Sequence, residues 1–145
     1  MTEVYIINES PFELPAYATI ASAGVDLKAF LDHPTDLKPL ERKIIATGIK
    51  LALPEGYEAQ IRPRSGLAAK HGISILNSPG TIDSDYRGEI GVILVNLSNQ
   101  LFTINRGDRI AQLVLTKYEK INWKITEELP ETKRGIRGFG STGGK

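Results

Sequence analysis

The stretch "TIDSDYRGE", residues 81–89, crowds Asp83, Asp85, Tyr86, Arg87 and Glu89 between two apolar runs, "GISILNSPG" and "GVILVNLS". Both flanks read as strands, so the polar stretch reads as the tip of a hairpin. A tip needs Gly, Asn or Asp for its backbone angles, not an aromatic ring among charges. A second stretch, "RPRSG", sets Arg62 and Arg64 just ahead of "SGLAAKHG". There Ser65 reads as an N-cap, Leu67 to Lys70 as helix formers and Gly72 as the stop, the alternative being a plain turn between strands. Arginine beside the open N–H groups of a helix start suits a phosphate, although arginine clusters are also ordinary solvated surface. The third stretch is the C-terminal "KRGIRGFGSTGGK". It cannot bury a core, and its first reading is a disordered tail. Yet glycine backbone with Ser and Thr can wrap phosphate oxygens, Arg134 and Arg137 bring charge, and Phe139 can stack on a base. A lid over a nucleotide accounts for all three better than a linker does.

The elements that must hold these stretches are short and β-like. "VYII", "KIIATGIKLAL", "YEAQIRP", "ISIL", "IGVILVNL", "LFTI", "RIAQLVLTKY" and "NWKIT" are rich in β-branched and aromatic residues and are broken by Pro, Gly and Asn. In "YEAQIRP", Tyr57, Ala59 and Ile61 share one face. The spacing predicts an all-β sandwich, jelly roll or barrel with one short helix and no βαβ unit. The chain has 145 residues and is 41% hydrophobic, enough for the core of one domain. Its net charge of +1 gives no bulk attraction to nucleic acid or to anionic membrane. The absence of Cys excludes disulfides, thiolate metal sites and a Cys nucleophile. No run approaches the roughly 20 apolar residues of a membrane span, and the acidic start is unlike a signal peptide. The expectation is a soluble, cytoplasmic protein. His33 and His71 have no metal-spaced partners and read as structural, and Trp123 reads as a packing residue of the core or of a subunit contact.

Taken together, five segments resemble the trimeric dUTP pyrophosphatases (dUTPases) in order and spacing. They are "AGVDLKA" (23–29), "RPRSGLAAKHGI" (62–73), "NSPGTIDSDYRGEIGVILVN" (77–96), "RGDRIAQLVL" (106–115) and "RGIRGFGSTG" (134–143). The resemblance implies a β-clip, a distorted jelly-roll barrel, assembled as a homotrimer with three active sites at subunit interfaces. Residues 1–130 are then the β domain and residues 131–145 a flexible Gly-rich tail acting as the active-site lid. It implies hydrolysis of dUTP to dUMP and pyrophosphate by in-line water attack on the α-phosphorus, which limits uracil incorporation into DNA and supplies dUMP for dTMP synthesis.

The resemblance also assigns roles. Asp83 matches the aspartate that activates the attacking water; a carboxylate with an ordinary pKa of about 4 is ionised at pH 7 and can accept a proton. Asp26 matches the residue that holds Mg²⁺ through water, and Gln112 the glutamine beside the α-phosphate. Arg64, Ser65 and Gly66 take phosphates. Asn77 and the backbone of Gly80, Thr81 and Ile82 read the uracil edge, with Gly80 walling off a 5-methyl group. Tyr86 lies against the deoxyribose and leaves no room for a 2′-hydroxyl. In the tail, Arg134 supplies charge, Phe139 with Gly140 covers the uracil, and Ser141 and Thr142 hold the γ-phosphate. Asp85 is read as turn chemistry. Two alternatives stand beside this: a dCTP deaminase of the same fold, and a non-catalytic nucleotide-binding β module. The deaminases place a glutamate in the strand after the hairpin, where this chain reads "IGVILVNL".

Overall fold

The computed structural model describes residues 1–138; Phe139, Gly140, Ser141 and Thr142 lie outside the described residues. The elements run β1 (Tyr5–Asn8), β2 (Val25–Lys28), β3 (Thr35–Leu37), β4 (Arg42–Ala46), β5 (Ile49–Ala52), β6 (Tyr57–Arg62), α1 (Ser65–His71), β7 (Ile73–Ile75), β8 (Gly80–Ile82), β9 (Gly91–Asn96), β10 (Phe102–Ile104) and β11 (Arg109–Lys117). The fold is all-β with one short helix, as the strand pattern predicts. Four small sheets form, with strand orders β2-β11-β6-β8, β4-β9-β7, β1-β5 and β10-β3. Every pairing is antiparallel. All four sheets feed one apolar core, to which they contribute Leu27 and Ile61, Ile45 and Leu94, Leu51, and Ile104 in turn. Burying each such side chain stabilises the fold by about 1.5–3 kcal/mol. Among the described residues no helix is long and apolar enough to cross a membrane.

Three expectations about strands change. The run "KIIATGIKLAL" is two strands in different sheets, divided at Thr47–Gly48. Gly48 has φ of +70°, and a Cβ there would stand 2.8 Å from the Ser10 nitrogen, so only glycine makes this corner. Thr47, buried at the corner, donates its hydroxyl to the Ile90 carbonyl at 2.7 Å. The polar stretch 81–89 is not a simple hairpin tip. Strands β7 and β9 do pair as two legs, Ile75 facing Leu94. The connection between them, however, leaves their sheet, and its residues 80–82 become the edge strand β8 beside β6. Finally, "NWKIT" forms no strand: the last strand ends at Lys117, and Trp123 is 81% exposed rather than in the core. A strand needs a partner for its N–H and C=O groups, and the described residues offer this segment none.

The helix differs from expectation by one residue. Ser65 is its first helical residue, and Arg64, extended at φ −87° and ψ 126°, holds the N-cap position without a side-chain cap bond. Pro63 explains the extended backbone of Arg62, since a residue before proline is pushed out of the helical region. The stop at Gly72 is as predicted: it is left-handed at φ 64°, and its N–H reaches the Ala68 carbonyl at 3.1 Å.

Candidate functional site

The predicted site residues fall into two groups on the chain. The first lies across the middle of the four-stranded sheet. Gln112 on β11 faces Asp26 on β2 on one side and Arg62 on β6 on the other. Directly opposed residues share a face, so the three side chains form one row. That face points away from the core, because the neighbours Leu27, Ile61 and Ala111 are buried. Arg64 reaches the row from the helix start. Its Nε sits 3.0 Å from Asp26 Oδ1, and its Nη2 donates to Asp26 Oδ2 at 3.4 Å. The pair is half-buried, with side chains 28% and 23% exposed. Ser65 and Gly66 lie beside it in the open; nothing stands within 4 Å of where a Cβ on Gly66 would be. A cavity of about 420 Å³ adjoins Arg64, lined also by Leu67, Phe102, Thr103, Asp108, Arg109 and Ile110. Arg64 and Arg109 around the Asp26 carboxylate, with open backbone beside them, form a surface that an oxyanion-rich ligand can enter.

The second group lies at the far edge of the same sheet. Among the described residues strand β8 pairs only with β6, so the other edge of Gly80, Thr81 and Ile82 keeps backbone groups available for pairing. Asn77 folds over Gly80: a Cβ on Gly80 would come within 3.2 Å of the Asn77 amide nitrogen and 3.4 Å of the Ile61 Cβ. Ser78–Pro79 is a cis peptide. Past β8 the chain turns, the Tyr86 N–H donating to the Asp83 carbonyl at 3.2 Å. Arg87 clasps this turn through the carbonyls of Ser84 and Tyr86, at 2.7 and 2.9 Å. The Asp83 side chain is exposed, and among the described residues it makes no ion pair. Tyr86 is tied down at both ends of its segment. Its hydroxyl donates to the Glu89 carbonyl at 3.0 Å, and Glu89 Oε1 accepts the Gly48 N–H at 2.7 Å. The ring lies on Gly88, where any Cβ would overlap the Tyr86 hydroxyl.

These two groups do not meet within the chain. Asp83 and Asp26 are separated by three strand spacings across the sheet. Continuing the registers offsets them by four residues along it. That is about 20 Å in all. Arg134, the third predicted contributor, lies in an exposed turn beyond the last strand, its Nε donating to the Arg137 carbonyl at 2.9 Å. The remaining tail residues, Phe139, Gly140, Ser141 and Thr142, lie outside the described residues.

Sequence reasoning missed Arg109. Its Nη1 stands 3.3 Å from Asp26 Oδ2, and its carbonyl accepts Arg64 Nη1 at 3.2 Å. In a regular strand Arg109 and Gln112, three apart, would point to opposite faces. The available signal was the pair of consecutive apolar residues in "RIAQ", which breaks strict alternation. Gly88 and Glu89 were also passed over, since their roles depend on the folded position of Tyr86. His71 packs its ring on Phe102, centroids 5.2 Å apart, a structural contact.

Known proteins resemble the chain over nearly its whole length. A family model described as dUTPase matches residues 10–143. The chain is 57% identical over 141 residues to the deoxyuridine 5′-triphosphate nucleotidohydrolase of Finegoldia magna, covering 97% of this chain and 99% of that one. It is 62% identical over 131 residues to the enzyme of the same name from Rickettsia bellii, covering 90% and 87%. Among solved structures, the dUTPase of Staphylococcus bacteriophage 80alpha, a G164S mutant with dUpNHpp, superimposes with a TM-score of 0.87 at 26% identity over 99% of both chains.

Proposed function

The chain belongs to the dUTPase family, and from that premise we propose that it hydrolyses dUTP to dUMP and pyrophosphate by attack of water on the α-phosphorus. One observation carries the reading: each half of the necessary chemistry is present, but on one protomer the halves lie about 20 Å apart. A site built between protomers resolves this. Outward-facing apolar residues support such assembly. Ile44 faces Ile93 across β4 and β9, and Leu76 donates its N–H to Ile93 on the other side. Ile44 is 72% exposed and Leu76 is 54% exposed. An apolar row of this kind on a sheet's outer face suits burial against another copy, and a head-to-tail contact that closes on itself gives a ring such as a homotrimer.

Within that site the base is read by the free edge of β8. Uracil presents acceptor, donor, acceptor along O2, N3–H and O4, which backbone N–H and C=O groups can match. Cytosine carries a donor in place of O4. The mismatch leaves buried polar groups unpaired at roughly 1–3 kcal/mol each, which becomes discrimination. Asn77 adds its amide, and Gly80 with its neighbouring backbone walls off the 5-methyl of thymine. The Tyr86 ring, held in place by Glu89 and Gly88, packs against the deoxyribose and excludes a 2′-hydroxyl.

The phosphate chain lies along the other half, on Arg64, the Ser65 hydroxyl and the N–H of Gly66, with Gln112 beside the α-phosphate. Asp83 from the facing protomer orients the attacking water and takes its proton. The tail, through Arg134, Phe139, Gly140, Ser141 and Thr142, closes over the nucleotide and expels bulk water. The donor set also bears on the metal. Among the described residues no three His, Cys, Asp or Glu side chains cluster to cage an ion. A lone carboxylate, Asp26, fits Mg²⁺ held by phosphate oxygens and water, with Asp26 accepting from that water. When bound, Mg²⁺ would offset charge moving onto the leaving pyrophosphate. Incubation with dUTP, dCTP, dTTP and UTP in Mg²⁺, reading pyrophosphate and ammonia, tests the proposal. The expected result is pyrophosphate from dUTP well above the other three. Ammonia from dCTP would mark the deaminase, and binding without turnover a non-catalytic module.

A further inference from the structure

The register of β11 slips where it meets β2: Arg109 faces Lys28, but Ala111 faces Leu27, so Ile110 is an extra residue. Ile110 and Ala111 are consecutive, and both are buried, at 1% and 0% exposure. This bulge brings Arg109 and Gln112 out on the same side of the sheet, and bulges are where strands re-aim side chains. The re-aimed Arg109 reaches Asp26 Oδ2, which Arg64 Nη2 also approaches, while Arg64 Nε holds Oδ1. Both oxygens of Asp26 are therefore committed to arginine. The Nε and Nη2 of Arg64, the two-pronged edge that suits a phosphate, are turned onto Asp26 in this structure.

We infer that Arg109 is a positioning residue that keeps Asp26 aimed when Arg64 is drawn away to the phosphate chain. The triphosphate offers Arg64 more negative charge than one carboxylate does, and a guanidinium moves its two-pronged hydrogen bonding readily from carboxylate to phosphate. Release of Arg64 frees Oδ1 of Asp26 to accept from a metal-bound water. Without a second cation, the half-buried carboxylate would lose its orientation at that moment. Arg109 retains Oδ2 throughout. This inference rests on the functional reading above.

The test measures affinity for α,β-imido-dUTP, which cannot be cleaved at that bond, with Mg²⁺ and with EDTA, in the wild type, Arg109→Met and Arg109→Lys. In the wild type Mg²⁺ is expected to tighten binding. Arg109→Met is expected to lose about 10-fold or more of that tightening, the usual cost of removing a group that orients a metal's partner. Its affinity in EDTA should change much less, and Arg109→Lys should recover part of the loss. A Met variant that keeps the full Mg²⁺ increment overturns the inference and leaves the functional reading standing. Equal losses with and without Mg²⁺ also overturn it, since Arg109 would then be touching the phosphates directly. If Arg109→Met does not fold, Arg109→Gln, which also removes the cation, takes its place, and a full Mg²⁺ increment there overturns the inference. A wild type that binds no analogue at all sinks the functional reading and this inference together.

Discussion

Asp83 stands at the first position of a turn, and its side chain is exposed while its carbonyl is engaged. Asparagine there keeps the size and the turn chemistry but cannot take a proton. Asp83→Asn is therefore expected to lower kcat by about 100-fold or more, the usual contribution of a general base, with affinity for the imido analogue within a few-fold of wild type. Single-turnover kinetics and a binding titration separate the two, and an unchanged kcat would remove Asp83 as the base. Gly88 acts on a different property. Its missing side chain makes room for the Tyr86 hydroxyl. Gly88→Ala should push the ring from its seat and loosen sugar discrimination, so the ratio of kcat/KM for dUTP over UTP should drop. If that ratio holds while overall stability falls, Tyr86 is a packing residue only.

At the scale of elements, the end of β9 depends on one buried amide. Asn96 is fully buried, and its Nδ2 donates to the carbonyls of Leu37 and Gln100 at 2.8 and 2.7 Å. Its Oδ1 accepts the N–H and the hydroxyl of Ser98 at 2.9 and 2.8 Å. One side chain thus ties β9, β3 and the following turn together. Asn96→Ala leaves the Leu37 carbonyl without this donor, and stability should fall by about 1–3 kcal/mol in denaturant unfolding. Because the side-chain partners of Asn96 are Leu37, Ser98 and Gln100, none of them a site residue, kcat of the remaining folded protein should be little changed. A loss of kcat at unchanged stability would contradict this division. The bulge in β11 shows the limit of reading elements from sequence. Alternation places Gln112 outward correctly, but the extra Ile110 reverses the face of Arg109, and only the pairing with β2 reveals it.

At the scale of the molecule, activity is expected to follow assembly. Ile44→Asp places a charge in the exposed apolar row, where it would have to be desolvated on association. Sedimentation should show a shift toward monomer, with turnover falling in step; a fully active monomer would end the shared-site account. Truncation after Leu129 tests the tail separately. It removes Pro130 and everything beyond it, Arg134 included, while sparing the eleven strands of the described residues. The truncated protein should stay folded and assembled, with turnover greatly reduced. Full activity or loss of assembly would each exclude a lid.

The sequence by itself determined the all-β class, the glycine stop of the helix, the inward face of β6 and, through its five segments, the family. These are properties of local alternation and of residue types at fixed spacings. Such signals survive without knowledge of which strand pairs with which. The tertiary structure alone decided that residues 80–82 join β6 rather than close a hairpin, that Arg109 turns toward Asp26, and that Asp26 and Asp83 lie far apart on one chain. Each of those depends on register and on partners distant in the chain, and hydrogen-bond pairing between strands is not encoded in the character of either strand alone. The exposed Trp123 belongs with them: its sequence pattern is that of a strand, but a strand exists only where another edge receives it.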